Sequence, residues 1–277
     1  MIRKITLMLA VCVVMFLSAT QGKSTDSMQI GIYVNEKEIF TDVLPYIQNG
    51  TTFVPVRPIC TALGEGDIIW NDREKSVIVK GNNEIQFTVG EKYAIVNGKK
   101  HILSAPSTIV DGRTMIPVRL FAESLGAQVQ WDSILHSVDI SVTDEKLPVV
   151  STVTGRRKDE LLWLARIVEA ESAGEPASGQ LAVANVVLNR VASKEYPNTI
   201  YGVIFDRNYG VQFQPVANGT IYNTPSKKAV LASKKALAGE NNIGKCLYFL
   251  NESIATNHWI VENRDYYTTI DNHSFYI

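Results

Sequence analysis

The chain has little of what would tie it to metals, to redox chemistry or to nucleic acid. It holds three cysteines and four histidines. His101, His136, His258 and His273 form neither an HExxH run nor a His-x-His pair, and the cysteines stand alone. No metal site and no cofactor is therefore expected. Cys12 falls in the leader described below. Cys60 and Cys246 lie far apart and read as two separate buried thiols, because a disulfide between them would need two halves of the chain to dock. Twenty-seven Lys and Arg stand against 28 Asp and Glu, a formal net charge of −1. That balance excludes a broad electrostatic grip on nucleic acid or on anionic polymers. Beyond residue 22 no apolar run is long enough to cross a bilayer. What remains is an ordinary globular composition, 45% hydrophobic and 20% charged, over 277 residues, enough for two modest domains.

The first residues have the layout of a secretory signal: Arg3 and Lys4, an apolar run over 5–17, then small and polar residues to Gly22. We assign 1–22 to a signal peptide, with an uncleaved anchor as the alternative. The chain is then expected outside the cytoplasm. Cys12 lies too deep in the apolar run, behind Val11, to suit a lipoprotein cleavage box.

Residues 28–144 contain a repeat. TTFVPVRPICTALGEGDIIWND (51–72) is echoed by RTMIPVRLFAESLGAQVQWDS (113–133). Each is preceded by an alternating hairpin, at 32–39 and 94–103, the second carrying the turn signal Asn97-Gly98. Each unit reads as strand, turn, strand, an extended Pro-Val-Arg segment, a short helix capped by Gly64 or Gly126, and a strand bearing Trp70 or Trp131. The strands at 75–80 and 137–142 close the units. The two tryptophans are expected to plug the core rather than to face a ligand. KLPVVSTVTGRR, within 145–157, reads as an extended linker.

The last part, 158–277, is predicted to be mainly helical, and the chain as a whole is α+β. Its opening run, 161–191, reads as two helices joined at a Gly-Glu-Pro corner, with Pro176 starting the second. Leu161, Leu164, Ile167 and Val168 make an apolar arc, and Glu171 falls inside it one turn later. Apolar neighbours and the negative end of the helix dipole should keep a proton on Glu171 near neutrality, which suits a general acid. The plain alternative is a helix-end carboxylate at the rim of the core. Glu169 points to the other flank, where Arg166 would pair with it. Glu175 sits at the positive end of the second helix, which suits a charged carboxylate. Further on, Thr199 is placed to cap a short helix, 206–220 lacks a period and reads as a binding loop, 225–239 reads as a helix ending at Gly239, and 247–250 as a strand. The segment from Trp259 onward reads as a polar tail.

ARIVEAESAGEPASGQLAVANVVLNRV, followed in order by YPNTIYGVIF, QFQPVANG, CLYFLN, HWI and IDNHSF, resembles the cell wall hydrolase family typified by spore cortex-lytic enzymes, whose domains are similar in fold to lysozyme-like lytic transglycosylases. The resemblance covers the chain after about residue 158. It implies that Glu171 is the catalytic acid and that the substrate is the glycan strand of peptidoglycan, in the spore cortex or the vegetative wall. Gln212, Phe213, Gln214, Tyr248, Asn251, Trp259 and His273 match family positions and have the flat rings, amides and hydroxyls that sugars engage, with Glu175 beside them. Phe213 and Trp259 could equally be core residues, Tyr248 a packing residue, and His273 a partner of a backbone carbonyl. Two positions depart from the family pattern: Gln214 stands where Ser is common, and Asp271 where Gly is usual. The repeat region resembles the N-terminal module of copper amine oxidases, also called a stalk domain. That module is non-catalytic, so the resemblance implies presentation or wall attachment and no oxidase chemistry. The implied reaction is lytic transglycosylation. A hydrolytic muramidase, with Asp206, Asp265 or Asp271 as second carboxylate, and a wall-binding protein without activity are the alternatives.

Overall fold

The computed structural model describes residues 29–64, 66–142, 156–208 and 210–277. The leader, and the linker up to residue 155, lie outside the described residues. Strands β1 (Gly31–Val34), β2 (Lys37–Glu38), β3 (Tyr46–Gln48) and β4 (Thr51–Pro55) lead into helix α1 (Val56–Ala62), followed by β5 (Asp67–Asn71) and β6 (Ser76–Lys80). After β7 (Glu84–Thr88) the order recurs as β8 (Tyr93–Val96), β9 (Lys99–Ile102), β10 (Thr108–Val110), β11 (Arg113–Pro117), α2 (Val118–Ser124), β12 (Ala127–Asp132) and β13 (Ser137–Val142). Four two-residue turns drive this pattern. Asn35-Glu36, Asn49-Gly50, Asn97-Gly98 and Asp111-Gly112 all have positive φ at both central residues, the geometry that matches the natural twist of paired strands.

Three sheets result, ordered β12-β13-β1-β2, β10-β11-β4-β3 and β5-β6-β7-β8-β9. The repeats meet where β4 and β11 run antiparallel, with Val54 opposite Ile116, Phe53 opposite Pro117 and Pro55 opposite Met115. Val54 and Ile116 are equivalent positions, so a local pseudo-twofold axis passes between them. The repeats also exchange strands: β1 pairs in parallel with β13, while β6 joins the second hairpin through β7. One core results, with Val54, Ile59, Phe87, Ile116, Phe121 and Ile140 fully enclosed.

Two sequence expectations need correction here. The Pro-Val-Arg segments are not extended throughout. Pro55 and Pro117 end their strands and occupy the N-cap of α1 and α2, so that Val and Arg form the first helical turn. Trp70 and Trp131 are not core plugs, since they are 42% and 40% exposed. The alternation puts Trp131 on the face of Ala127 and Val129, which are buried, but that face opens into a groove beyond Val129. Trp70 stands in the same relation to Ile68.

The second half is built on helices α3 (Lys158–Ser172), α4 (Ala177–Ala192), α5 (Ile200–Ile204), α6 (Gln214–Asn218) and α7 (Lys227–Leu237), completed by β14 (Tyr248–Leu250), α8 (Trp259–Asn263), β15 (Tyr266–Ile270) and β16 (His273–Tyr276). α3, α4 and α7 pack together around Leu164, Ile167, Val183, Val187 and Val230. Thr199 accepts a hydrogen bond from Gly202 N–H at 3.0 Å and caps α5, and Ser226 caps α7 in the same way from Ala229 N–H at 3.3 Å. Pro176 is the N-cap of α4 rather than its first helical residue. The stretch after Trp259 is not a polar tail: it forms a hairpin that turns at Asp271, and β16 lies between β14 and β15. The architecture is α+β, a strand-rich N-terminal body followed by a mainly helical one. Both Cys60 and Cys246 are buried, one in each body.

The two bodies are docked. Leu135, from the turn between β12 and β13, belongs to the helical body's core. Lys158 Nζ lies 2.7 Å from Asp132 and 2.5 Å from Asp139, Lys158 N–H donates to Glu36 O at 2.8 Å, and Glu38 N–H donates to Arg156 O at 2.9 Å. From α7, Lys234 Nζ donates to Gln29 O at 2.8 Å. Burial pulls the Lys234 ammonium down to about 8, against the opposing charges of Glu38 and Asp132.

Candidate active site

Glu171 stands one turn beyond Ile167 and Val168, both fully enclosed in α3, and its own side chain is half-buried. Burial pushes its carboxyl from an ordinary 4.5 up to about 7, and the positive charge of Arg190 works in the opposite direction. A carboxyl tuned in this way is partly protonated at neutral pH, the condition for general acid catalysis. Glu169 leaves this side of the helix altogether. It does not pair with Arg166; it accepts from Ser226 N–H at 3.1 Å and from Ser226 Oγ at 2.5 Å, at the start of α7. The free donors at a helix N-terminus outcompete a neighbour on the same helix. Arg166 instead lies over the Trp163 ring at 4.8 Å.

Arg190 is one residue of this region that the sequence did not single out. It sits on the apolar face of α4, three and four residues after Val187 and Val186, and is only 6% exposed. Its Nε donates to Leu247 O at 2.7 Å, while Nη1 is buried without a hydrogen-bond partner among the described residues. The guanidinium lies over three rings, Tyr196 at 5.0 Å, Phe213 at 5.1 Å and Tyr248 at 5.8 Å. These π-faces partly offset the desolvation of the cation. Burial lowers its pKa, while Tyr196, Tyr248, Glu171 and Asp206 favour the charged form.

The stack continues outward. Arg264 Nη2 donates to Tyr248 Oη at 2.9 Å, and its guanidinium lies 4.6 Å from the Tyr248 ring and 4.9 Å from that of Trp259. Tyr196 is pushed up to about 12, first by burial and then by its hydrogen bond with Tyr248. Aromatic rings and guanidinium planes thus alternate from Tyr196 through Arg190, Tyr248 and Arg264 to Trp259, which is 47% exposed. Tyr196 and Arg264, like Arg190, were not singled out from the sequence. The signal for Arg190 was present, as a charged residue at a core position of an otherwise apolar helix.

The other sequence candidates divide into two groups. Gln212 is half-buried, with its amide 3.4 Å from Gly210 O, and Gln214 is exposed at the start of α6. Asn251 turns back on its own loop, accepting from Ser253 N–H at 3.1 Å and Oγ at 2.6 Å. Phe213, Glu175 and His273 point inward. Phe213 is 2% exposed, under Arg190. Glu175, 5% exposed, accepts from Asn272 N–H at 3.3 Å and Nδ2 at 3.1 Å, and so ties the C-terminal hairpin to the start of α4. His273 Nδ1 lies 3.6 Å from Glu175 and its ring meets Phe249 edge-on; burial lowers its pKa, which favours the neutral imidazole. Of the alternative carboxylates, Asp206 is close enough to act on Arg190, Asp271 accepts from Asn272 Nδ2 at 2.8 Å, and Asp265 is exposed.

Fold and site together define an α+β chain in which a mainly helical body, carrying Glu171 poised near neutrality on α3, is docked on a two-repeat, strand-rich one. Residues 33–140 match the family described as copper amine oxidase N-terminal domain, and residues 174–276 match the family described as cell wall hydrolase. The first match falls in the strand-rich body and the second in the helical one. Glu171 lies three positions before the second matched stretch. The chain is 43% identical over 106 residues to the spore cortex-lytic enzyme of Bacillus cereus, an alignment covering 38% of this chain and 40% of that protein. It is 39% identical over 113 residues to the enzyme of the same name from Oceanobacillus iheyensis, covering 41% and 40%. The match thus spans about two-fifths of the length of these relatives. Among solved structures, the catalytic domain of the germination-specific lytic transglycosylase SleB from Bacillus anthracis is 40% identical, with 45% of this chain and 98% of that one covered, at a TM-score of 0.42.

Proposed function

We propose that this protein is a secreted peptidoglycan-cleaving enzyme, a lytic transglycosylase of the spore cortex acting during germination, with Glu171 as its only catalytic acid and base. The observation that carries this reading is the carboxyl of Glu171, poised near neutrality by burial against the charge of Arg190. The names of its relatives, spore cortex-lytic enzymes, support the substrate class. Protonated Glu171 donates to the glycosidic oxygen between N-acetylmuramic acid and N-acetylglucosamine as the C1–O bond breaks. The resulting carboxylate takes the proton of the muramoyl 6-hydroxyl, whose oxygen bonds to C1 and closes an anhydro ring. No water is consumed, and the acid is regenerated. A single residue serves both steps, so no second carboxylate at glycosidase spacing is needed.

Arg190 has a defined part in this cycle. The cation stabilises the carboxylate that exists between the two proton transfers, while burial favours the acid that begins and ends it. Exposed Trp259, with Tyr248 behind it, offers a ring face to a sugar, and Gln212, Gln214 and Asn251 carry amides of the kind that sugar hydroxyls and acetamido groups engage. The N-terminal module holds the enzyme at the wall. The test is the chemistry of the product ends: digestion of purified peptidoglycan yields anhydromuramoyl ends, whereas reducing muramic acid ends would assign the chain to hydrolytic muramidases.

A further inference from the structure

The strand-rich module contains two grooves that the pseudo-twofold axis relates. The first, about 670 Å³, is lined by Pro55, Arg57, Ile68 and Trp70 and completed by residues 112–114. The second, about 410 Å³, is lined by Pro117, Arg119, Val129 and Trp131 and completed by residues 50–52. The correspondence is position by position: proline with proline, arginine with arginine, tryptophan with tryptophan. The turn that closes each groove belongs to the other repeat. A packing role does not explain the paired tryptophans, because both rings stay about two-fifths exposed. Trp70 Nε1 donates to Asp72 at 3.4 Å, and the Trp131 ring meets His136 edge-on, so both indoles are held in place. At the rims, Arg119 donates to Val129 O at 2.9 Å and to Glu123 at 3.3 Å, and the exposed Arg113 meets Asp42 at 2.6 Å beside the first groove.

We infer that these are two equivalent subsites for the glycan strand of peptidoglycan, each stacking a sugar ring on its tryptophan and engaging hydroxyl, acetamido and carboxylate oxygens with its arginine. A pyranose offers one apolar C–H face to an indole, and its rim oxygens accept from a guanidinium. A repeated pair of subsites suits a polymer of one repeated disaccharide, because two weak contacts on the same chain multiply. The choice of polymer rests on the proposed activity of the helical domain, whereas the grooves themselves do not.

The experiment uses the full chain with Glu171→Gln, so that binding proceeds without digestion, and purified sacculi stripped of covalently attached anionic polymers. Trp70→Ala and Trp131→Ala should each weaken binding about tenfold, and the pair about a hundredfold. Trp70→Phe with Trp131→Phe keeps a flat ring in each groove and should recover most of the affinity. Arg57→Glu with Arg119→Glu leaves both indoles in place and should weaken binding by about tenfold or more. Cleavage of short soluble glycans by the double Trp→Ala chain with Glu171 intact should be unchanged. Double variants that bind as well as the parent overturn the inference, as does a parent that binds only sacculi still bearing their anionic polymers. If the grooves bind sacculi that wild type does not cleave, the proposed activity falls and the subsites stand; cleavage without groove-dependent binding is the reverse.

Discussion

Arg190 and Glu171 form one electrostatic unit: the buried guanidinium on α4 pulls the carboxyl on α3 toward ionisation, while burial of that carboxyl pushes it toward the acid. The balance falls near neutrality. Replacing Arg190 by Met removes the opposing charge, so Glu171 should titrate higher and the alkaline limb of the pH–rate profile should move up. Maximal rate should fall about tenfold or more, in line with losing a partner of a general acid. Stability should change little, because losing the bond to Leu247 and removing the orphaned Nη1 act in opposite directions. A pH–rate profile and a thermal melt of Arg190→Met check both parts.

Glu171 also makes stability depend on pH. Its folded pKa is raised, so the folded state keeps a proton that the unfolded chain gives up. That contribution is fully present below about 4.5 and is lost as pH rises through about 7. A shift of this size is worth about 3 kcal/mol. Relative to Glu171→Gln, which does not titrate, the wild type should lose about that much between about pH 4 and about pH 8. Denaturant melts of both proteins across this range measure it.

The docking of the two bodies depends on Lys158, whose side chain is 21% exposed between Asp132 and Asp139. Burial alone would raise Asp132, but the Lys158 ammonium and the N–H groups of Leu135 and Ile134 outweigh it and hold the carboxyl below its usual value. Stability from a depressed carboxyl is present above its unfolded pKa and lost as pH falls through the folded one. Lys158→Ala should destabilise by about 2 kcal/mol. It should also separate the unfolding of the two bodies, read as two transitions in calorimetry where the wild type shows one.

Glu175 is expected to be a structural latch. Glu175→Ala leaves the Asn272 donors without their acceptor and should lower stability by about 1–3 kcal/mol. Hydrogen exchange should quicken in β15 and β16 first. A loss of substrate affinity with unchanged exchange would make Glu175 a substrate contact instead.

Much of the fold was legible because its signals are local. Asn97-Gly98 marked its hairpin, Gly64 and Gly126 their helix ends, Thr199 its cap, and the apolar arc of 161–168 carried Glu171 to a shielded place. What the sequence hid was set by contacts distant along the chain. Glu169 finds Ser226 rather than Arg166, Glu175 meets a hairpin almost a hundred positions later, and Trp70 and Trp131 emerge where their sheet face loses its cover. The C-terminal hairpin escaped because its strand Tyr-Tyr-Thr-Thr-Ile is largely exposed and its residue types do not alternate between apolar and polar.

The most direct test of the central claim compares wild type with Glu171→Gln on purified cortex peptidoglycan, measuring clearing and binding side by side. Clearing should fall by at least about a thousandfold while binding persists. Equal clearing by the two proteins would remove Glu171 from the mechanism and contradict the account.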